Sequence, residues 1–144
     1  MNSLKDKVQK LVDERRKEGV MNYISQSYAT TDSSAPIDQV LRAFATNSDQ
    51  NFAVIVLESR SSRKLRGIIK RSDLGRDGAT AEDIASKPII AIRNSSSLGD
   101  ALDLMNGGNS LGQRLESLPI VNDSETFVGV VTMEVVNKKI RESL

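Results

Sequence analysis

Gly67-Ile-Ile-Lys-Arg-Ser-Asp73 and Gly129-Val-Val-Thr-Met-Glu-Val135 are two copies of one pattern: a glycine, two apolar residues, a polar position, two variable residues and a last position that is acidic in the first copy and valine in the second. Each copy closes a longer unit. Working upstream, Ile37, Val40, Leu41 and Phe44 fall at i, i+3, i+4 and i+7, and Leu98, Ala101, Leu102 and Met105 repeat that phase 61 positions later. Both runs read as short amphipathic helices. Each follows a Ser-bearing turn, Asp32 to Pro36 and Asn94 to Ser97, of the composition that starts helices. After each helix comes an apolar run, Phe52 to Leu57 and Leu118 to Val121, whose length and β-branched content predict buried strands. A second strand ends each hairpin, Leu65 to Ile69 and Phe127 to Val131, with Gly67 and Gly129 at the same place. A repeated supersecondary unit declares an architecture that single segments cannot.

The match extends to the segments that enter each unit. Val20 to Ser25 aligns with Ala81 to Ser86, and Tyr28 to Thr31 with Ile89 to Ile92, which predicts a helical turn leading into a short strand in both. The copies differ where loops differ: the Glu58 to Lys64 turn is longer in the first and the Asn106 to Ser117 connection longer in the second. Gly75-Arg-Asp-Gly-Ala79 is polar and glycine-bearing, as a hinge between half-domains is. Ahead of everything, Ser3 to Glu18 places Leu4, Val8, Leu11 and Val12 on one side of a helix. Ser3 and Asp6 have the spacing of a capping box, and Gly19 is the expected stop. The narrow apolar stripe suits a surface helix or a contact with a second subunit. The division that follows is residues 1–19 for this helix, 20–79 for the first unit and 80–144 for the second.

Composition narrows the function. With 20 Lys plus Arg against 19 Asp plus Glu, no whole-molecule field draws the chain onto nucleic acid or anionic membrane. The absence of Cys and His removes disulfides, thiolate nucleophiles and the commonest transition-metal ligands. Five aromatic residues are too few for a base-stacking platform. No window approaches the roughly 20 apolar residues of a membrane span and no secretory signal heads the chain, so a cytoplasmic location is expected.

The order helical turn, strand, helix, strand, strand, helix, repeated at about 60 residues, resembles the cystathionine-β-synthase (CBS) repeat. The resemblance runs from Val20 to about Ile140 and rests on Ala81-Glu-Asp-Ile-Ala-Ser-Lys-Pro88, on Leu118-Pro-Ile-Val121 and on the two glycine motifs. It implies an α+β fold of two β-α-β-β-α repeats packed by their sheets with pseudo-twofold symmetry, a Bateman module preceded by the N-terminal helix. It further implies a homodimer and a ligand held between the repeats: an adenosine-containing small molecule such as AMP, ADP or ATP. No cofactor is required.

Carried over residue by residue, Asp73 matches the family's acidic position, which holds ribose hydroxyls; a carboxylate suits a vicinal diol because it accepts two hydrogen bonds while ionised. Lys70 replaces the family's threonine-like residue, and with Arg71 beside it supplies point charges for phosphate. This departure favours a phosphorylated ligand over a bare nucleoside. In the second copy Thr132 is kept, a candidate to serve phosphate at the start of the helix that follows, where free backbone N–H groups favour an anion, but Val135 stands at the acidic position. Thr30, in the strand entering the first unit, matches the family's small hydroxyl residue, where the second copy has Ala91. The resemblance thus implies one site around Thr30, Lys70 and Asp73, with Phe52, Val54 and the 118–120 run as apolar walls.

Structural readings stand beside these. Asp73 and Thr132 are ordinary helix starts, Lys70 and Arg71 ordinary strand-end charges, and Thr30 an ordinary strand residue. Asn106 to Gly112 lacks the Gly-Lys-Ser/Thr ending of a phosphate loop and reads as a plain connection. The cations at Arg60, Arg63, Lys64 and Arg66 read as a solvated turn. A regulatory nucleotide-binding module that signals to a partner protein is the leading function. A ligand-independent dimerisation or docking scaffold with decayed sites is the alternative, and no convergent acid–base set supports an enzyme.

Overall fold

β3 (Ala53–Leu57) is buried along its whole length, and its side chains divide between two cores. Val54 and Val56 face one way, against Val40 and Phe44 of helix α2 (Ile37–Ala45); Ala53, Ile55 and Leu57 face the other, toward Phe127 and Val130. A strand covered on both faces needs this unbroken apolar run, because alternate residues point to opposite sides of a sheet. The computed structural model describes residues 3–86 and 89–144, so Lys87 and Pro88 of the motif quoted above lie outside the described residues.

Two sheets are built around such strands. One orders β2 (Tyr28–Asp32), β3 and β4 (Leu65–Ile69), with β2 parallel and β4 antiparallel to β3. The other orders β1 (Ile24–Ser25), β7 (Phe127–Thr132), β6 (Ser117–Val121) and β5 (Ile92–Arg93), with β5 parallel to β6 and the other pairs antiparallel. Helix α4 (Leu98–Met105) and helix α5 (Met133–Glu142) cover the second sheet, burying Leu98, Leu102, Met105 and Val136 with Leu118, Ile120 and Val131. The sheets meet through Ile55, Ile68, Phe127 and Val130. The α+β repeat architecture is therefore present, with one shortening. Where the second unit ends in α5, the first ends in the 3₁₀ turn Arg71–Gly75, because its sequence offers only Leu74 to an apolar face before Gly75 and Gly78.

Entry segments cross between the units. The turn Val20–Tyr23 and β1 come first in sequence, yet Val20 and Tyr23 sit in the core beneath α4 and β1 pairs with β7. Conversely the short helix α3 (Ala81–Ile84) packs its Ala81 and Ile84, with Ala85, into the core beneath α2, and Ser86 bridges to Ile68 of β4. Packing thus runs across the 79/80 boundary in both directions. Each crossing segment also serves the start of the helix it meets. The N–H groups of Leu98 and Gly99 donate to the carbonyls of Glu18 and Arg16 (2.8 and 2.9 Å), and that of Ile37 donates to the carbonyl of Ala79 (3.2 Å). Helix starts carry unsatisfied N–H groups, so the crossings supply acceptors that neither helix has itself.

The glycines shared by the two copies lie under these crossings. A Cβ on Gly67 would stand 2.8 Å from Cβ of Ala85, and one on Gly129 would touch Ile24 at 3.5 Å. The first is a steric requirement for glycine and the second an ordinary contact.

Helix α1 (Leu4–Arg15) begins with the expected capping box: Ser3 Oγ accepts from the Asp6 N–H at 3.2 Å, and Asp6 accepts from the Ser3 N–H at 3.4 Å. It stops before Gly19, since the carbonyls of Arg16 and Glu18 are taken by α4. None of its residues is buried, and Leu4 is exposed. Its end is clasped by Glu18, which accepts from the Tyr23 hydroxyl and from Arg15, both at 2.8 Å. The Tyr23 hydroxyl, and after it Arg15, hold the Glu18 carboxyl below the usual carboxylate range, while burial raises Tyr23. Among the described residues no helix is long and apolar enough to cross a membrane.

Candidate functional site

β4 runs antiparallel to β3, so its last residues emerge beside the start of β3 and face the loop that leads into β6. There the two halves enclose a cleft of about 150 Å³. Its apolar wall is Ile68, Ile90, Leu111, Leu115 and Pro119; its polar groups are Lys70, Ser86, Gln113, Arg114, Glu116 and Ser117. A second hollow of about 180 Å³ adjoins it, sharing Lys70, Glu116 and Ser117 and adding Asn51, Phe52, Arg71 and Ser72. Lys70 thus stands at the junction of an apolar compartment and a polar one. Its side chain is exposed, and no hydrogen bond or ion pair of its ammonium is found among the described residues. Arg114 pairs with Glu116 at 3.5 Å, both more than half exposed, a contact of small net worth in water.

Asp73 lies beneath this cleft and is 3% exposed. Its Oδ2 accepts from the Lys70 backbone N–H and from the Ser86 hydroxyl, each at 2.8 Å, and its Oδ1 faces Arg76 Nη2 at 3.4 Å. The carboxylate closes the Arg71–Gly75 turn and ties it to the segment that enters the second unit. The bonds are those of a start-of-helix acid, since an aspartate three residues past the cap reaches back to the cap N–H.

Arg71 lines the polar hollow, but its guanidinium is turned onto the end of α2. It donates to the carbonyls of Phe44 (3.4 Å), Asn47 and Asp49 (3.0 Å), and stacks over the Phe44 ring at 5.3 Å from the centroid. Those carbonyls form the negative end of the helix and the loop beyond it, a natural seat for a cation. Thr132 is 2% exposed and caps α5, its Oγ1 accepting from the Val135 N–H at 3.3 Å. Thr30 is level with Ile55 and, through it, with Ile68, which places it two strands from β4. It lines a separate, open hollow of about 470 Å³ with Asp32, Pro36, Gln39, Ser59, Arg60 and others. The structure therefore brings Lys70, Arg71 and Asp73 together, leaves Thr30 in another hollow, and puts Thr132 at the start of α5.

Of the expected apolar walls, Phe52 and Pro119 line the paired hollows, while Val54, Leu118 and Ile120 lie inside the helix-side cores. Sequence reasoning passed over Ser86, Gln113, Arg114 and Glu116. The signal for Glu116 and Ser117 was present, since they stand directly before the Leu118 to Val121 strand; Gln113 and Arg114 sit in a loop with no periodicity to orient them. The 470 Å³ hollow is the larger, but it is a poorer seat for a flat aromatic ligand. Its walls are mostly hydroxyl, amide and charged groups, and Arg60 there already pairs with Asp32 at 3.7 Å. No group of three or more acidic residues positioned to hold a metal ion occurs among the described residues.

Comparison with known proteins places these features in a family context. Residues 81–142 match the family model of the CBS domain. Solved structures of CBS-pair proteins match over most of the chain. The structure of CBSX2, a CBS-pair protein of Arabidopsis thaliana, in complex with AMP is 18% identical, with 88% of this chain and 99% of that one covered and a TM-score of 0.70. That of CbpB in complex with c-di-AMP is 18% identical, with 94% and 93% covered and a TM-score of 0.68. The cytosolic domain of the Mg2+ channel MgtE in complex with ATP is 17% identical, with 93% of this chain and 53% of that one covered and a TM-score of 0.66. At these identities the likeness is one of fold.

Proposed function

We propose that this chain, which carries a CBS domain at residues 81–142 and has the fold of a CBS-domain pair, is a regulatory module that binds an adenine nucleotide in the cleft beside Lys70. The observation that carries the reading is an ammonium, without a hydrogen-bond or ion-pair partner among the described residues, at the meeting point of an apolar hollow and a polar one, with walls drawn from both halves. The apolar hollow suits a purine, and Lys70 suits the phosphate as a compact point charge. AMP, ATP and c-di-AMP in CBSX2, MgtE and CbpB support this ligand class. Regulation follows from the placement of the walls. A ligand touching Lys70 from one half and Arg114 or Glu116 from the other favours one relative orientation of the halves, by no more than its differential affinity for the two orientations. A partner protein, or a second copy of this chain, reads that orientation.

A specific feature favours a second reading, a dimerisation or docking scaffold that needs no ligand. The second copy of the motif lacks its carboxylate at Val135, and Thr132 is occupied as a cap.

Thermal unfolding of the intact chain with AMP, ADP, ATP and adenosine separates the two. A ligand bound only by the folded state raises the melting temperature, and the phosphorylated compounds are expected to do so. No rise with any of them at millimolar concentration would leave the scaffold standing. Under the nucleotide reading, Lys70→Thr lowers ATP affinity at least about tenfold, the worth of one charge-assisted contact, and leaves stability nearly unchanged because the side chain is exposed. Titration calorimetry and a thermal scan of the variant measure both.

A further inference from the structure

We infer that the open hollow of about 470 Å³ at the far end of the first sheet is a second ligand site, for a small phosphate ester with a hydroxylated, non-aromatic body. The Lys70 cleft adjoins the end of β4, beside the start of β3, whereas this hollow is lined by Leu57, the last residue of β3. The two ends of β3 are roughly 13 Å apart, so one small phosphate cannot touch both. The charges of the hollow are incompletely matched. Arg60 faces Asp32 at 3.7 Å with its side chain 94% exposed, a pair of little worth in water. Arg63 lines the same wall, and no hydrogen bond or ion pair of its guanidinium is found among the described residues. Its backbone, by contrast, is fixed. The Arg63 carbonyl accepts from the Phe127 N–H at 2.9 Å, and Ser59 Oγ staples the turn by accepting from the Ser62 N–H at 3.0 Å. A cation carried on an anchored turn loses less freedom on meeting an anion.

Thr31 adds an independent observation. Its Oγ1 is buried without a hydrogen-bond partner, the one such side-chain N or O atom found among the described residues, and Thr31 lines this hollow. A stranded hydroxyl costs stability, and an acceptor from outside the chain relieves it. The repeat supplies its own control. The equivalent hollow of the second half, about 320 Å³, has Ala91 and Ile92 where the first has Thr30 and Thr31, and Glu125 where the first has Arg63. The lining is therefore a property of the first half's sequence and not of the fold. Its chemistry names the ligand class. A guanidinium forks onto two phosphate oxygens and a hydroxyl donates to a third. Asp32 and Gln39 offer acceptors to hydroxyls of the ligand's body, and little apolar wall remains for a base.

Calorimetric titration of the full chain with ribose 5-phosphate and with ribose tests this. Ribose 5-phosphate is expected to bind saturably at millimolar concentration, at least about tenfold more tightly than ribose. Arg63→Gln is expected to remove that advantage and leave ATP affinity unchanged, while Lys70→Thr leaves ribose 5-phosphate affinity unchanged. Thr31→Val is expected to weaken ribose 5-phosphate by about threefold or more with no fall in melting temperature, since the hydroxyl has no partner to lose. Absence of saturable binding, equal binding of ribose, or full affinity in Arg63→Gln would overturn the inference. Loss of ribose 5-phosphate binding in Lys70→Thr would overturn it too, by putting the sugar phosphate in the nucleotide cleft. The nucleotide reading is judged separately, on ATP.

Discussion

Phe127→Ala is expected to lower stability by about 3–5 kcal/mol, the largest effect of any single truncation considered for this chain. Phe127 is 2% exposed and occupies the seam where the two sheets meet, among Ala53, Ile55, Leu57, Ile68 and Val130. Tyr28 packs edge-on to it, with ring centroids 5.4 Å apart and planes at 80°, a geometry worth roughly 0.5–1.5 kcal/mol beyond area burial. Truncation removes that pair and leaves a void between two sheets whose strands are fixed by their own ladders, so collapse around the void is limited. A domain of this size melts about 2–4 °C lower per kcal/mol, so a fall of roughly 6–20 °C is expected by circular dichroism. Leu111→Ala serves as the comparison, because Leu111 is 42% exposed and its loss stays within about 0.5 kcal/mol. A fall below about 3 °C for Phe127→Ala would mean that this seam does not join the halves.

The second large effect is expected at Asp73. Asp73→Ala removes the acceptor for the Lys70 N–H and the Ser86 hydroxyl and the ionic partner of Arg76, at a site 3% exposed. Stranded donors each cost about 1–3 kcal/mol, so a loss of about 2–4 kcal/mol follows. Asp73→Asn keeps one carbonyl oxygen and is expected to recover part of it. Chemical denaturation of the two variants measures the order: wild type, then Asn, then Ala. If Asp73→Ala proves as stable as the wild type, Asp73 has no structural role and its carboxylate is free for a ligand diol.

Asp73 shows where the sequence is informative and where it is not. Its type and register in Gly67 to Asp73 gave two readings, ribose contact and cap, and the cap requires only local geometry that sequence spacing encodes. Its bond to Ser86 spans a fold crossing that no local pattern announces. The same crossing explains why 20–25 and 81–86 align with each other in sequence yet pack into each other's half: both segments present a short apolar turn, and either core accepts such a turn. Arg71 is a comparable case. Its chemistry as a free cation was legible, but its carbonyl partners come from the end of α2 and the following loop, brought near by the α2-to-β3 connection. By contrast α2, α4 and the buried strands followed directly from periodicity, since their apolar phase is itself the packing instruction. Thr30 enters the expected site only through the family resemblance, by its position along the entering strand. The register of β2 on β3 puts it in the other hollow.

The proposed function requires one nucleotide seat at the junction of the halves, beside Lys70. The most direct test is a titration of isotopically labelled chain with ATP followed by amide chemical shifts. The main perturbations are expected at residues 68–72 and 111–117, around the paired hollows. Perturbations centred on residues 30–39 and 59–63, around the 470 Å³ hollow, with the Lys70 cleft unmoved, would contradict it.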